Sequence, residues 1–245
     1  MPDPLQLFTI GDSLSQGVMS AAAAKTEQSY STLVAEQLGL TPREDYIFAT
    51  WPSGGIPMNP LPANIEMLLR RLQKEFPKGI SRFDWFTRVL PAINRAADLP
   101  EDYYERGPGA YTEPYLHRGQ PVEYFHNVAV SGFTIADAWL VTPSLCAEEI
   151  ERGWFDGSGD GWMTGPSRGF YRNAYRVLNP SAGDHDQAAN NRTQLDWLQH
   201  VAKTRGVENV MIALGANNAL GSAMSLVPNS GPGTGKTHTL SHMEG

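Results

Sequence analysis

The chain has 245 residues, and 19 basic against 26 acidic side chains give a formal charge of −7. Hydrophobic residues at 41% against 18% charged supply a core and exclude wholesale disorder, while the acidic excess excludes an electrostatic grip on nucleic-acid phosphates. The single cysteine, Cys146, excludes an intrachain disulfide and a cysteine-built zinc site, and above-average Gly (24) and Pro (18) predict long irregular connections.

In chain order, residues 5–10 form a short apolar run ending at Gly11, which predicts a buried strand feeding a turn. Residues 29–38 have helical spacing, with Tyr30, Leu33, Val34 and Leu38 on one face and Gly39 as the terminating glycine. A second strand is expected at 46–49, a Pro- and Gly-dense loop at 50–62, and an amphipathic helix at 63–76 stopped by Pro77. Residues 79–120 show no consistent period. A strand at 122–130 leads into a small-residue turn at Ser131-Gly132 and a helix from Thr134. Residues 153–187 read as irregular, 193–204 as a helix, 210–214 as a strand and 215–218 as the turn after it. Strands alternating with helices predict an α/β fold with a mostly parallel sheet.

Ligands of parallel α/β sheets sit beyond the carboxyl ends of the strands, and three strand ends here carry small or polar residues. In Gly11-Asp12-Ser13-Leu14-Ser15-Gln16-Gly17 a serine stands at a strand-to-helix turn, where a helix N-terminus favours developing negative charge. In Asn127 to Gly132 the glycine N–H can approach a reacting carbonyl oxygen without a side chain in the way, and in Leu214-Gly215-Ala216-Asn217-Asn218 the Asn217 amide is a further donor. A hydroxyl nucleophile with two or three such donors is what acyl transfer requires, because the donors hold the oxyanion of the tetrahedral intermediate.

These three motifs resemble the blocks of the SGNH/GDSL hydrolases. Gly-Asp-Ser-Leu at 11–14 matches the nucleophile block and puts Ser13 in the place of its serine. Asn127 to Gly132 is similar to the second block, with Gly132 as oxyanion donor, and Gly215-Ala216-Asn217-Asn218 is similar to the third, with Asn217 as the remaining donor. The resemblance implies a three-layer α/β/α sandwich (flavodoxin-like) and a serine hydrolase acting on a small-molecule ester. A catalytically inactive ligand-binding module on the same scaffold is the alternative.

The chain departs from that pattern in three ways. The separations from Ser13 to Gly132 and from Gly132 to Asn217 exceed the family's usual spacing, so residues 50–121 and 140–192 are read as insertions forming a pocket or lid. The aromatic residues Trp154, Trp162, Phe170 and Tyr171 fall in the second insertion, as an acyl-pocket lining or as local packing. The third block carries Asn218 in place of the family's Asp. Finally, the family's Asp-x-x-His, which supplies the general base, occurs nowhere in this chain, and none of His117, His126, His185, His200, His238 and His242 stands in its context. Asp184-His185-Asp186 offers a local alternative that reads more simply as an exposed turn. The expectation is a chain truncated before its catalytic Asp and His.

Residues 230–237, Ser-Gly-Pro-Gly-Thr-Gly-Lys-Thr, resemble a phosphate-binding loop with Lys236 and Thr237 as its polar ends, but Ser230 replaces its first glycine. A Gly-rich tail or foreign junction at 226–245, after an SGNH-like domain at 1–225, is the plainer expectation; a nucleotide-binding fragment is the weaker one. Glu113 with His117 and Glu123 with His126 have ligand-like spacing beside proline or in a strand pattern, so neither a metal nor a cofactor is expected. The start, Met1-Pro2-Asp3-Pro4, lacks the basic and apolar regions of a signal peptide, and the charge-free stretch 209–235 is broken by Asn, Pro and Gly. A cytoplasmic protein without a membrane span is therefore expected.

Overall fold

A computed structural model describes residues 3–19, 23–49, 65–93, 122–156, 169–180 and 191–225. The expected loop at 50–62, the 226–245 tail and the Asp184-His185-Asp186 group lie outside these residues. The architecture is mixed helix and strand around a small parallel sheet, broadly α/β.

Strand β1 (Leu5–Gly11) is the hub of that sheet. Hydrophobic on both faces, it buries Leu5, Leu7, Phe8 and Ile10, as expected for a parallel strand covered on each side. One edge pairs in parallel with β4 (Val207–Ala213), in register from Leu5 opposite Val207 to Gly11 opposite Ala213. The other edge pairs in parallel with the extended segment 126–130, through Thr9 N–H to His126 O (2.7 Å), Val128 N–H to Thr9 O (3.0 Å) and Val130 N–H to Gly11 O (3.0 Å). Beyond it lies 46–48, where His126 N–H donates to Ile47 O (2.7 Å). The expected strands at 46–49 and 122–130 are thus realised as short paired segments, with ladder bonding to β1 beginning only at His126.

β1 contributes to two apolar clusters. Leu7 joins Ala35, Tyr46 and Phe48 in the smaller one. Phe8 and Ile10 join the larger, with Val130, Phe133, Val141, Cys146, Ile150, Tyr171, Ala174, Leu178, Trp197 and Val201. Each fully buried side chain of this size contributes about 1.5–3 kcal/mol. Burial pushes the Cys146 thiol well up, which makes it a packing group rather than a nucleophile. The Tyr46 hydroxyl, pushed up to about 12 by burial, is satisfied by Thr9 Oγ1 at 2.6 Å.

Helix α1 (Ser13–Gln16) follows β1 directly, and Gly17 ends it in a left-handed conformation (φ 78°). A short antiparallel pair, β2 (Val18–Met19) and β3 (Ala23–Ala24), and a 3-10 turn (Thr26–Gln28) then lead to α2 (Tyr30–Gln37). Ser29 caps α2, and Gly39 at φ 82° closes it, with Leu40 N–H on Ala35 O and Gly39 N–H on Glu36 O, both 3.0 Å. The helix is oriented differently from its apolar spacing. Leu33 is 54% exposed, and Tyr30, Val34 and Leu38 are exposed too, while Ser31, Thr32 and Ala35 are buried. The inward hydroxyls are satisfied locally, Ser31 Oγ donating to Ser15 O (2.8 Å) and Thr32 Oγ1 to Thr26 O (2.6 Å).

Helix α3 (Ile65–Glu75) falls within the expected 63–76, and α4 (Arg82–Asp84) runs on into a π-helical turn (Trp85–Val89) in a region without sequence period. The helix expected from Thr134 is the single turn α5 (Asp137–Leu140), preceded by Thr134, whose N–H and Oγ1 both donate to Asp137 Oδ2 at 2.7 and 2.8 Å. The stretch read as irregular contains the end of α6 (Pro143–Asp156) and the whole of α7 (Gly169–Leu178). Cys146 and Ile150 of α6, and Tyr171, Ala174 and Leu178 of α7, belong to the larger cluster. Helix α8 (Gln194–Thr204) begins at a capping box between Thr193 and Asp196. Residues 216–218, expected within a turn, open helix α9 (Ala216–Ser225) instead. Among the described residues no helix is long and apolar enough to cross a membrane.

The buried face of α2 can be tested by paired substitutions. Leu33→Lys should change unfolding free energy by less than about 0.5 kcal/mol, whereas Ala35→Leu should cost about 1–3 kcal/mol by overpacking. Chemical denaturation of both variants reads this, and the reverse order would return the Leu33 face to the core.

Candidate active site

The carboxyl ends of the 126–130 segment, β1 and β4 lie side by side. Val130 N–H reaches Gly11 O, and Asp12 N–H continues the β1–β4 ladder onto Ala213 O at 3.1 Å. The turns at Asp12-Ser13, Ser131-Gly132 and Gly215-Ala216 therefore emerge at one edge of the sheet, and Ser13, Gly132 and Asn217 are brought to neighbouring strand ends.

Gly11 and Asp12 build the first turn. A Cβ on Gly11 would overlap Ser15, lying 2.7 Å from its Cβ, and would sit 3.1 Å from Ala213 O, so only glycine lets α1 fold back this tightly. Asp12 is the N-cap, its Oδ1 accepting from Leu14 N–H at 3.0 Å. Burial raises its carboxyl above the ordinary value of 3.8, opposed by the Leu14 N–H bond. Ser13 follows as the first helical residue, half-buried, with Leu14 beside it 60% exposed. Neither Ser13 Oγ nor Ser13 N–H has a hydrogen-bond partner among the described residues.

The second turn is held from three directions. Gly132 has φ 87°, a left-handed conformation that favours glycine, and the Phe170 ring of α7 lies where a Cβ would be, at 2.8–2.9 Å. Ser131 N–H donates to Gln16 Oε1 at 2.8 Å, and on the far side Asn217 Nδ2 donates to Phe133 O at 2.8 Å. Gly132 N–H has no partner among the described residues. The bond to Phe133 takes one hydrogen of the Asn217 amide and leaves the second. Asn218, where the resembled family has Asp, accepts from Ile135 N–H through Oδ1 at 3.0 Å, a bond that a carboxylate oxygen would make equally well.

Four buried amides whose roles the motifs do not reveal brace this edge. Asn127 Nδ2 donates to Ser15 O and Ser31 Oγ, both 3.0 Å, while its Oδ1 accepts from Ala129 N–H. Gln194, fully buried at the start of α8, donates through Nε2 to Gly11 O (3.0 Å) and Val128 O (2.6 Å). Gln16 and Asn173 exchange bonds in both directions at 3.0 Å. The only signal for these roles in the sequence is polarity at positions that a buried element makes costly unless paired.

The two described histidines are engaged away from Ser13. His126 Nδ1 lies 3.0 Å from Asp45 O and 3.2 Å from Ile47 N. His200 Nε2 is 3.6 Å from Glu123 Oε1, with its ring edge-on to Trp197, so Glu123 and His126 do not converge as their spacing allows. His117, His185, His238, His242 and Glu113 lie outside the described residues, as does Trp162. Of the aromatic residues considered for an acyl pocket, Tyr171 is a core residue and Phe170 covers Gly132. The described residues contain no group of three potential metal ligands.

Two outcomes follow from this geometry. Gly132→Ala should destabilise by about 2 kcal/mol or more, combining left-handed strain with overpacking. Part of that loss should disappear in a Phe170→Ala background, giving a coupling energy above about 0.5 kcal/mol in a double-mutant cycle; strict additivity would separate the two residues. For Asp12 the raised carboxyl means that the folded state binds the proton more tightly, so its contribution to stability falls as pH rises from near 3.8 through the folded-state value. Asp12→Asn keeps a capping oxygen and loses that dependence. Its stability relative to wild type should therefore improve as pH rises through this window, as read by urea titrations at several pH values.

No protein-family model, no curated protein and no solved structure matches this chain.

Proposed function

We propose that the chain is a serine hydrolase of SGNH/GDSL type acting on ester bonds, on the three-layer α/β/α scaffold that the motifs imply. The observation that supports this reading is the placement of Ser13, Gly132 and Asn217 at adjacent parallel strand ends, with the Ser13 hydroxyl and the Ser13 and Gly132 N–H groups unengaged among the described residues. In this reading Ser13 Oγ attacks the ester carbonyl carbon. The carbonyl π electrons move onto oxygen, and the three donors hold the resulting oxyanion, each worth about 10²- to 10³-fold in rate. Collapse of the intermediate expels the alcohol with the proton taken from Ser13, and water then releases the acid from the acyl-serine.

Removal of the serine proton needs a base. With His126 and His200 engaged elsewhere, the base in this reading lies outside the described residues. The same observation favours a second reading, a crevice that binds acyl ligands without turning them over.

A fluorophosphonate probe separates the two. The hydrolase reading expects one phosphonyl mass increment on Ser13, lost in Ser13→Ala, and nitrophenyl acetate turnover reduced to background in the same variant. A folded wild-type chain that neither labels nor turns over ester would leave only the binding reading.

A further inference from the structure

Gln16, near the end of the first motif, pairs with Asn173, which lies outside all three. Both side chains are buried. Gln16 Nε2 donates to Asn173 Oδ1 and Asn173 Nδ2 returns a bond to Gln16 Oε1, each 3.0 Å, closing a two-way amide pair. The same Gln16 oxygen accepts the Ser131 N–H at 2.8 Å. Gln16 is the last residue of the nucleophile helix, and Ser131 is the residue before Gly132. On α7, Phe170 and Asn173 are three positions apart and so share a helix face; Phe170 lies against Gly132 while Asn173 holds Gln16.

We infer that Gln16 and Asn173 are positioning residues for the oxyanion turn. Through Oε1, Gln16 fixes the Val130–Ser131 peptide, one peptide before the Gly132 N–H, against the helix that carries Ser13, and Asn173 holds the Gln16 amide in the one orientation that presents oxygen to Ser131. Helix α7 thus clamps Gly132 twice, by ring contact and through this amide bridge. The inference rests on the hydrolase reading above. Its cost is a buried polar network that must be fully paired, and its return is a fixed relation between nucleophile and donor, where a displacement of about 1 Å costs about 10²-fold.

The test measures fluorophosphonate labelling of Ser13 against probe concentration in wild type, Gln16→Met, Asn173→Leu and Gln16→Glu, with Gly39→Ala as a destabilised control remote from the crevice. Gln16→Met removes the acceptor of Ser131 N–H, so the maximal labelling rate should fall about 10- to 100-fold with the half-saturating concentration unchanged. Asn173→Leu leaves that acceptor without its orienting partner and should fall less. Gln16→Glu, protonated in its buried site, presents an oxygen and an O–H in place of the amide's oxygen and N–H, and should retain most of the rate. That order, with Gly39→Ala at wild-type rate, supports the bridge. Equal rates in all folded variants, or losses that track melting temperature alone, overturn it. A folded wild type that does not label at Ser13 overturns the hydrolase reading and the inference with it, and is distinguishable because it appears before any substitution is made.

Discussion

The sheet edge that carries Ser13, Gly132 and Asn217 depends on parallel pairing of β1 along both edges. Because Val130 N–H bonds Gly11 O and Asp12 N–H bonds Ala213 O, three chain segments far apart in sequence end at the same level. Parallel strands require long crossovers, and the crossovers here carry α2, α6, α7 and α8. The residues of β1 serve this arrangement directly: Phe8 and Ile10 anchor one cluster, Leu7 anchors another, and Gly11 leaves room for the chain to reverse into α1. Placing a side chain at Gly11 would push Ser15 and Ala213 apart, and with them the first and third turns.

Above that ladder the strand ends are tied to one another by side-chain amides. Asn127, Gln194, Gln16 and Asn217 each bond main-chain groups of a different segment. Unpaired buried amides are costly, so such a network is stable only when every segment is in place. It leaves Ser13 Oγ and the Ser13 and Gly132 N–H donors as groups without partners among the described residues. Under the proposed hydrolase reading, that division is electrostatic preorganisation, in which donors cost nothing to arrange at the moment of reaction.

Much of the frame was legible because local signals and tertiary packing agree. The apolar run at 5–10 became β1, the helix expected at 193–204 became α8, and Gly39 closed α2. The buried face of α2 was not legible, because Ser31 and Thr32 turn inward and are satisfied by main-chain oxygens while Leu33 and Val34 turn out. Helix α7 was hidden although Phe170, Tyr171, Ala174, Tyr175 and Leu178 carry helical spacing, since the Gly- and Arg-rich flanks dominated the reading. In the site, Ser13, Gly132 and Asn217 stood out by motif. The braces behind them did not, because Gln16 meets Asn173, and Gln194 meets Gly11, across more than 150 positions of sequence.

The most direct measurement of the central claim is a crystal structure of the chain after reaction with a fluorophosphonate. A single adduct on Ser13, with its phosphoryl oxygen within hydrogen-bonding distance of Ser13 N, Gly132 N and Asn217 Nδ2, is the predicted result. An adduct elsewhere, a phosphoryl oxygen turned to solvent, or an unmodified Ser13 would contradict the reading of these three strand ends as one catalytic crevice.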